Sequence, residues 1–160
     1  MGKQGGSLSS EQSKLIEEAL AGYLNEAGIK TALLVDPDGH LVSRAGEADK
    51  IDPVAFGALV SANFASTQQI ASQMGEPGFD AFFIQGKERD LYLHAVDDRA
   101  ILVSIFLRTT TLGMVKIFAE KTVKQLSQTL SAGGEATEGL SVGGGFADSA
   151  LAELDKVLGG

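Results

Sequence analysis

There is no cysteine in this chain, which excludes disulfides, thiolate metal sites and a cysteine nucleophile and makes a reducing cytoplasm the expected compartment. Histidine is nearly as scarce, with His40 and His94 the only two. Neither stands in an H-E-x-x-H pattern, and a zinc site needs three or four convergent ligands, so each is read as a strand-surface residue. Apolar runs such as "AILV" fall far short of the roughly 20 residues that cross a bilayer. The opening residues lack the basic, apolar and small-residue succession of a signal peptide, so neither an anchor nor membrane insertion is expected. Basic residues number 13 against 21 acidic ones, for a net charge of −8. That balance argues against nucleic acid, because phosphate neutralisation needs clustered Lys and Arg. The nearest thing to a cluster, Lys116, Lys121 and Lys124, is interrupted by Glu120 and reads as a solvated helix face.

The usual chemical signatures are missing as well. Gly78 stands too far upstream of Gly86 and Lys87 to build a phosphate-cradling G-x-x-x-x-G-K-[ST] loop, and no G-x-G-x-x-G follows a strand. "DPDGHLVSRAGE" places Asp36, Asp38 and Glu47 at calcium-loop positions one, three and twelve. Position six is Leu41, where such a loop requires Gly for its bend, so the stretch is read as a hairpin turn. Asp97 and Asp98 lie in a turn with no apolar pocket implied, which gives no basis for acid catalysis. No histidine is placed to activate a serine. No catalytic residue, metal or cofactor is expected, and the chain reads as a binding module without an active site of its own.

What is present is the content of one domain with a tail. With 160 residues, 44% of them hydrophobic, the chain is long enough for a proper core. Residues 1–8 read as a flexible leader. Ser9 then caps a helix, with Gln12 completing a capping box. Leu15, Ile16, Ala19, Leu20, Tyr23 and Leu24 form its apolar stripe, and Gly28 stops it. "KTALLVD" and "HLVSRAG" follow as strands around the turn "DPDG". Asp52 and Pro53 open a second helix that closes at Gly75. Three strand-like runs, "DAFFIQ", "LYLHAV" and "AILVSIF", are joined by turns too short for parallel crossovers. Thr110 or Thr111 caps a last helix with Leu112, Val115, Ala119, Val123, Leu126 and Leu130 inward. The order αββαβββα predicts an α+β sandwich, one antiparallel sheet with helices packed on it.

The composition then shifts. "SAGGEATEGLSVGGG", residues 131–145, holds six glycines and reads as a flexible tether, with an end-to-end distance of roughly 20 Å. The domain is therefore bounded at 9–131, with a Gly-rich linker over 132–145. Residues 146–160 read as a short amphipathic helix whose apolar stripe is Ala150, Leu151, Leu154, Val157 and Leu158, opening at Phe146. A helix that short is marginal alone and needs something to lie on. Its own domain, disorder and a partner groove all stay open.

The second helix, "AFGALVSANFASTQQIASQMG", poses a problem of its own. Phe56, Leu59, Val60, Phe64, Ile70 and Met74 are assigned to a core stripe at helical spacing. The opposite face, Ala58, Ser61, Ala62, Ala65, Gln69 and Ser72, carries no charge, where a solvated face would carry Lys and Glu. It meets either another element of the same monomer or a separate chain.

Three stretches in register, with "ANFAST", "QGKERDLYLHAV" and "TTLGMVKIFAEK" the most specific, resemble the roadblock domain family and, within it, the bacterial MglB-type GTPase-activating proteins. The resemblance covers roughly residues 15 to 130. It implies a profilin-like sandwich, a five-stranded antiparallel sheet between helices, assembled as a homodimer. Central helices would lie side by side through Ala58, Ser61, Ala62, Ala65, Gln69 and Ser72. The sheet would continue across the dimer through Ala81, Phe82, Phe83 and Ile84. The implied partner is a small Ras-like (MglA-type) GTPase in a polarity or motility system, with the protein cytoplasmic and at a cell pole. Activation in that family positions the GTPase's own catalytic residues without an inserted arginine, so none of Arg44, Arg89, Arg99 and Arg108 is expected to be essential. Some members carry a flexible extension ending in a short helix that touches the GTPase away from its active site and promotes nucleotide exchange, and Phe146 to Leu158 resembles it in layout. Gln69 and Leu107 depart from the pattern. A scaffold subunit that only links partners is the alternative, and a small-molecule sensor with Ser104 or Asn63 as its polar contact is a third reading.

Overall fold

The computed structural model describes the backbone of residues 8–142 and the side chains of residues 8–132. Its elements run α1 (Ser10–Ala27), β1 (Thr31–Val35), β2 (Leu41–Gly46), α2 (Pro53–Met74), β3 (Ala81–Ile84), β4 (Arg89–Val96), β5 (Ala100–Leu107) and α3 (Leu112–Val142). The αββαβββα order is the expected one. The five strands form one sheet in the order β2-β1-β5-β4-β3, every neighbouring pair antiparallel.

The sheet is covered on both faces, and strand alternation sorts the side chains. Ala32 and Leu34 of β1 and Leu102 and Phe106 of β5 join Ile16, Leu20 and Tyr23 of α1 and Val115, Ala119 and Leu126 of α3. Leu33, Val35, Ile101 and Val103 point the other way, toward Val60 of α2. Every residue of β1 is buried, as its central place between these layers requires.

Local chemistry sets the ends. Ser9 and Gln12 make the reciprocal capping box, each side chain bonding the other's backbone N–H at 3.0 Å, and left-handed Gly28 ends α1. Asp52 caps α2 by accepting from Val54 and Ala55, and left-handed Gly75 closes it. Thr111 Oγ1 accepts from Met114 N at the start of α3. Where the glycine content leads one to expect a linker from 132, the helical backbone continues to Val142. Continuing a helix that has already formed needs no new nucleation, so each glycine opposes it only by a propensity cost of about 1 kcal/mol relative to Ala. The leader through residue 7 and the C-terminal segment 146–160, with Phe146, Ala150, Leu151, Leu154, Val157 and Leu158, lie outside the described residues.

The candidate interaction surface

Helix α2 has 22 residues and no charged side chain among them. It lies on the sheet through Gly57, Val60 and Ala71, which are buried, with Phe56 and Phe64 half-buried beside them. Three residues assigned to this stripe from sequence do not reach the sheet. Leu59 is 67% exposed, Ile70 54% and Met74 66%. For Leu59 and Ile70 the reason is angular: at 100° per residue they sit about 80–100° around the helix from Val60, while Ala71 and Gly57 lie within the contacting arc; Met74 falls within that arc too, but is the last residue of the helix.

Ala58, Ala62, Ala65, Gln69 and Ser72 are all exposed, so no other described element of this chain covers them. Ser61 is half-buried at the margin, where its hydroxyl donates to the Pro37 carbonyl at 2.5 Å. The exposed side of α2 is therefore wider and more apolar than the small-residue stripe alone, since Val54, Leu59 and Ile70 extend it. Large contiguous apolar surface of this kind marks contact with another macromolecule.

Strand β3 is the sheet edge next to this helix. Ala81, Phe82 and Phe83 are half-buried and Ile84 is exposed. Phe82 stacks on Phe64 of α2 with ring centroids 5.5 Å apart, and Phe83 stacks on Phe106 across the sheet at 6.3 Å. Gln68, unremarked in the sequence, ties the strand to the helix. Its amide nitrogen donates to the Phe79 carbonyl at 2.8 Å, and its oxygen accepts from Phe79 N at 3.1 Å. The helix is thereby tied to the segment that leads into the edge strand.

The titratable residues singled out from sequence fall elsewhere. Asp36 Oδ1 accepts from the backbone N–H groups of Asp38 and His40 at 2.9 Å, closing the β1–β2 turn. Asp36, Asp38 and His40 come close together at this exposed turn; Glu47 is separately paired with Lys30 at 3.9 Å. His94 is half-buried, edge-on to Tyr92, with Nδ1 2.9 Å from the Ala95 carbonyl. Asp97 accepts from Ser127 Oγ on α3. Contrary to the sequence reading, Asp97 and Asp98 do border an apolar recess, an open groove shared with Phe64, Ala65 and Ile101.

Ser104 is fully buried and paired with the Tyr23 hydroxyl at 2.5 Å, and Asn63 is exposed. Burial pushes the Tyr23 phenol well above the ordinary tyrosine range, the Ser104 hydrogen bond opposes this, and Tyr92 adds to it. Of the four arginines, Arg44, Arg89 and Arg108 are exposed on strand or turn surface. Arg99 donates to the Leu130 carbonyl at 2.9 Å.

A family model of the Roadblock/LC7 domain matches residues 15–106. The chain belongs to the Roadblock/LC7 family. Among solved structures it is similar to Myxococcus xanthus MglB, at 29% identity and TM-score 0.75, covering 79% of this chain and 95% of that one. The gliding protein MglB of Thermus thermophilus is 27% identical at TM-score 0.72, covering 78% and 95%. A Roadblock/LC7 domain from Streptomyces avermitilis, 15% identical at TM-score 0.66 with 72% and 97% covered, shares the fold. No curated protein matches the sequence at a significant level. No helix among the described residues is long and apolar enough to cross a membrane.

Proposed function

We propose that this roadblock protein is a homodimeric regulator of a small Ras-like, MglA-type GTPase, which stimulates GTP hydrolysis in a cell-polarity or motility system. The observation that carries the reading is α2: 22 residues without a charge, exposing Ala58, Ala62, Ala65, Gln69 and Ser72 together with Leu59 and Ile70. Two such helices side by side remove that surface from water, at roughly 25 cal/mol per Å² of apolar area. Small side chains let the backbones approach closely. The open edge of β3 next to α2 supports a sheet continued into the second protomer, because an uncovered apolar edge invites uncontrolled pairing.

The likeness to MglB supports the choice of partner. The chain offers positioning and not chemistry. GTP hydrolysis needs an oriented water and stabilised phosphoryl charge, and the GTPase's own residues supply both once held in place. For residues 146–160, which lie outside the described residues, the resemblance is the sole support for a contact with the GTPase away from its active site that promotes nucleotide exchange.

Single-turnover GTP hydrolysis by the MglA-type GTPase of the same organism, with and without this protein, is the test. The reading predicts acceleration by wild type and by each of Arg44→Ala, Arg89→Ala, Arg99→Ala and Arg108→Ala. A loss of about a thousandfold in one variant would install an arginine finger in place of this mechanism. Binding without acceleration would make the protein a scaffold.

A further inference from the structure

Strand β3 has one open edge, and its hydrogen bonds tell which backbone groups face outward. The Asp80 carbonyl accepts from Ala95 N at 2.8 Å. Asp80, and by alternation Phe82 and Ile84, therefore turn their backbone groups toward β4, while those of Phe79, Ala81, Phe83 and Gln85 face the edge. Both groups of Phe79 are already held by the Gln68 amide. An added strand can thus pair with Ala81, Phe83 and Gln85 and must stop at Phe79.

Side chains alternate as well. Phe82 lies on the α2 side of the sheet with Leu91, the residue opposite Ile84, and Asp80 shares that side. Ala81 and Phe83 lie on the side of α1 and α3. A two-fold dimer that keeps both α2 helices on one face sets residues of the same face opposite each other, so its axis passes through a residue of β3. Two centres keep most of the strand paired, Phe82 and Phe83. Centring on Phe82 would set the Asp80 carboxylate against Ile84, and Gln85 against the Phe79 groups that Gln68 holds. Centring on Phe83 sets Ile84 against Phe82 and Ala81 against Gln85, with apolar side chains matched and the outward groups paired.

The Phe83 centre also sets Asp80 against Gly86 of the second copy. A Cβ on Gly86 would overlap the Arg89 carbonyl oxygen, so no side chain stands between Asp80 and the next residue in the row, Arg89. Arg89 is on the α2 side too, two residues from Leu91 and opposite Leu107. Asp80 and Arg89 are exposed, and among the described residues neither is in an ion pair. Two strand spacings, about 10 Å between Cα atoms, separate them in the dimer, a span their side chains bridge together.

We propose that a second copy of this chain adds to β3 with Phe83 opposite Phe83, and that Asp80 of each copy pairs with Arg89 of the other across Gly86, fixing the register of the dimer. This rests on the homodimer proposed above and deepens it. The ion pair sets register and takes no part in hydrolysis.

The test begins with Ala81→Cys and Gln85→Cys in separate full-length chains, which have no other cysteine. The two are mixed and mildly oxidised. In the Phe83-centred register positions 81 and 85 of different copies lie about 5.5 Å apart at Cα, within disulfide range, so a disulfide joining the two variants is expected. Its absence, with wild type dimeric by light scattering, would overturn the register and leave the dimer standing. Asp80→Arg and Arg89→Asp each bring like charges together at both contacts and are expected to weaken the dimer about tenfold. An equimolar mixture of these two restores opposite charges at both contacts and is expected to return to within about twofold of wild type. Reversals without effect, or a loss that mixing does not restore, would overturn the ion pair. A wild type that stays monomeric at every concentration would overturn this register and the homodimer together.

Discussion

Gly57 of α2 and Gly39 of the β1–β2 turn lie backbone against backbone, so that a Cβ on Gly57 would overlap the carbonyl oxygen of Gly39. Gly39 has φ +94° and meets the Ala58 backbone in turn. This contact, with the Ser61–Pro37 hydrogen bond, sets how closely the first half of α2 approaches the sheet and hence where its outer face points.

Gly57→Ala therefore reverses the usual sign. On helix propensity alone the change would stabilise by about 1 kcal/mol. Here it is expected to destabilise by about 1–3 kcal/mol, because neither backbone can retreat without moving its element. The urea midpoint of the purified variant decides between the two signs.

The Tyr23–Ser104 pair gives a second prediction. Tyr23→Phe leaves the Ser104 hydroxyl buried without its partner and is expected to cost about 1–3 kcal/mol. Adding Ser104→Ala should recover part of that loss, because both polar ends are then gone. A double-mutant cycle by urea unfolding measures the recovery.

The same tyrosine makes a prediction about alkaline pH. Its phenol titrates higher in the folded chain than the ordinary value of 10.0, so the folded state keeps a proton that the unfolded state releases. Stability is intact below about pH 10 and falls above it, by up to about 1.4 kcal/mol per pH unit for this group. Tyr92, raised for the same first reason, burial, adds to the slope. Tyr23→Phe should make thermal unfolding less sensitive to pH between 10 and the folded value.

Much of this architecture was readable in advance, for identifiable reasons. Strand alternation and the caps at Ser9, Asp52, Gly28 and Gly75 are local signals, and they placed every element except the C-terminal end of α3, which runs through the glycines to Val142. The charge-free composition of α2 was also visible. Its exact rotation was not, because Leu59, Ile70 and Met74 satisfy a loose helical spacing as well as Ala71 and Gly57 do; only the contact with Gly39 discriminates. The groove was invisible for another reason. Pro37, Ala65 and Asp97 meet through tertiary packing, and nothing in the turn "DDR" announces an apolar neighbour. Gln68 reads as one more polar residue until Phe79 is placed beside it.

The β3 edge can be probed separately. Ile84 is 42% exposed at the end of the edge strand, so Ile84→Lys should leave the monomer's unfolding within about 0.5 kcal/mol of wild type. A charge there opposes strand-to-strand pairing. Light scattering is expected to show a shift from dimer toward monomer at micromolar concentration.

Ala65→Arg addresses the helix face. The side chain is exposed, so folding should be unaffected, with circular dichroism and thermal midpoint close to wild type. Dimerisation, GTPase binding or both should be lost, because the bulk and charge of an arginine do not fit a close contact between small side chains. A variant that still dimerises and binds the GTPase normally would remove Ala65 from the surface.

The chain's lack of cysteine offers the most direct test of the central claim, that the outer face of α2 is covered by other chains. Ala62→Cys introduces a unique thiol in the middle of that face, and its alkylation rate is measured against protein concentration and against added GTP-loaded GTPase. Labelling that slows as the dimer forms and slows again with the GTPase is the predicted result. Labelling at the rate of a free thiol, unchanged by concentration and by the GTPase, would contradict the account.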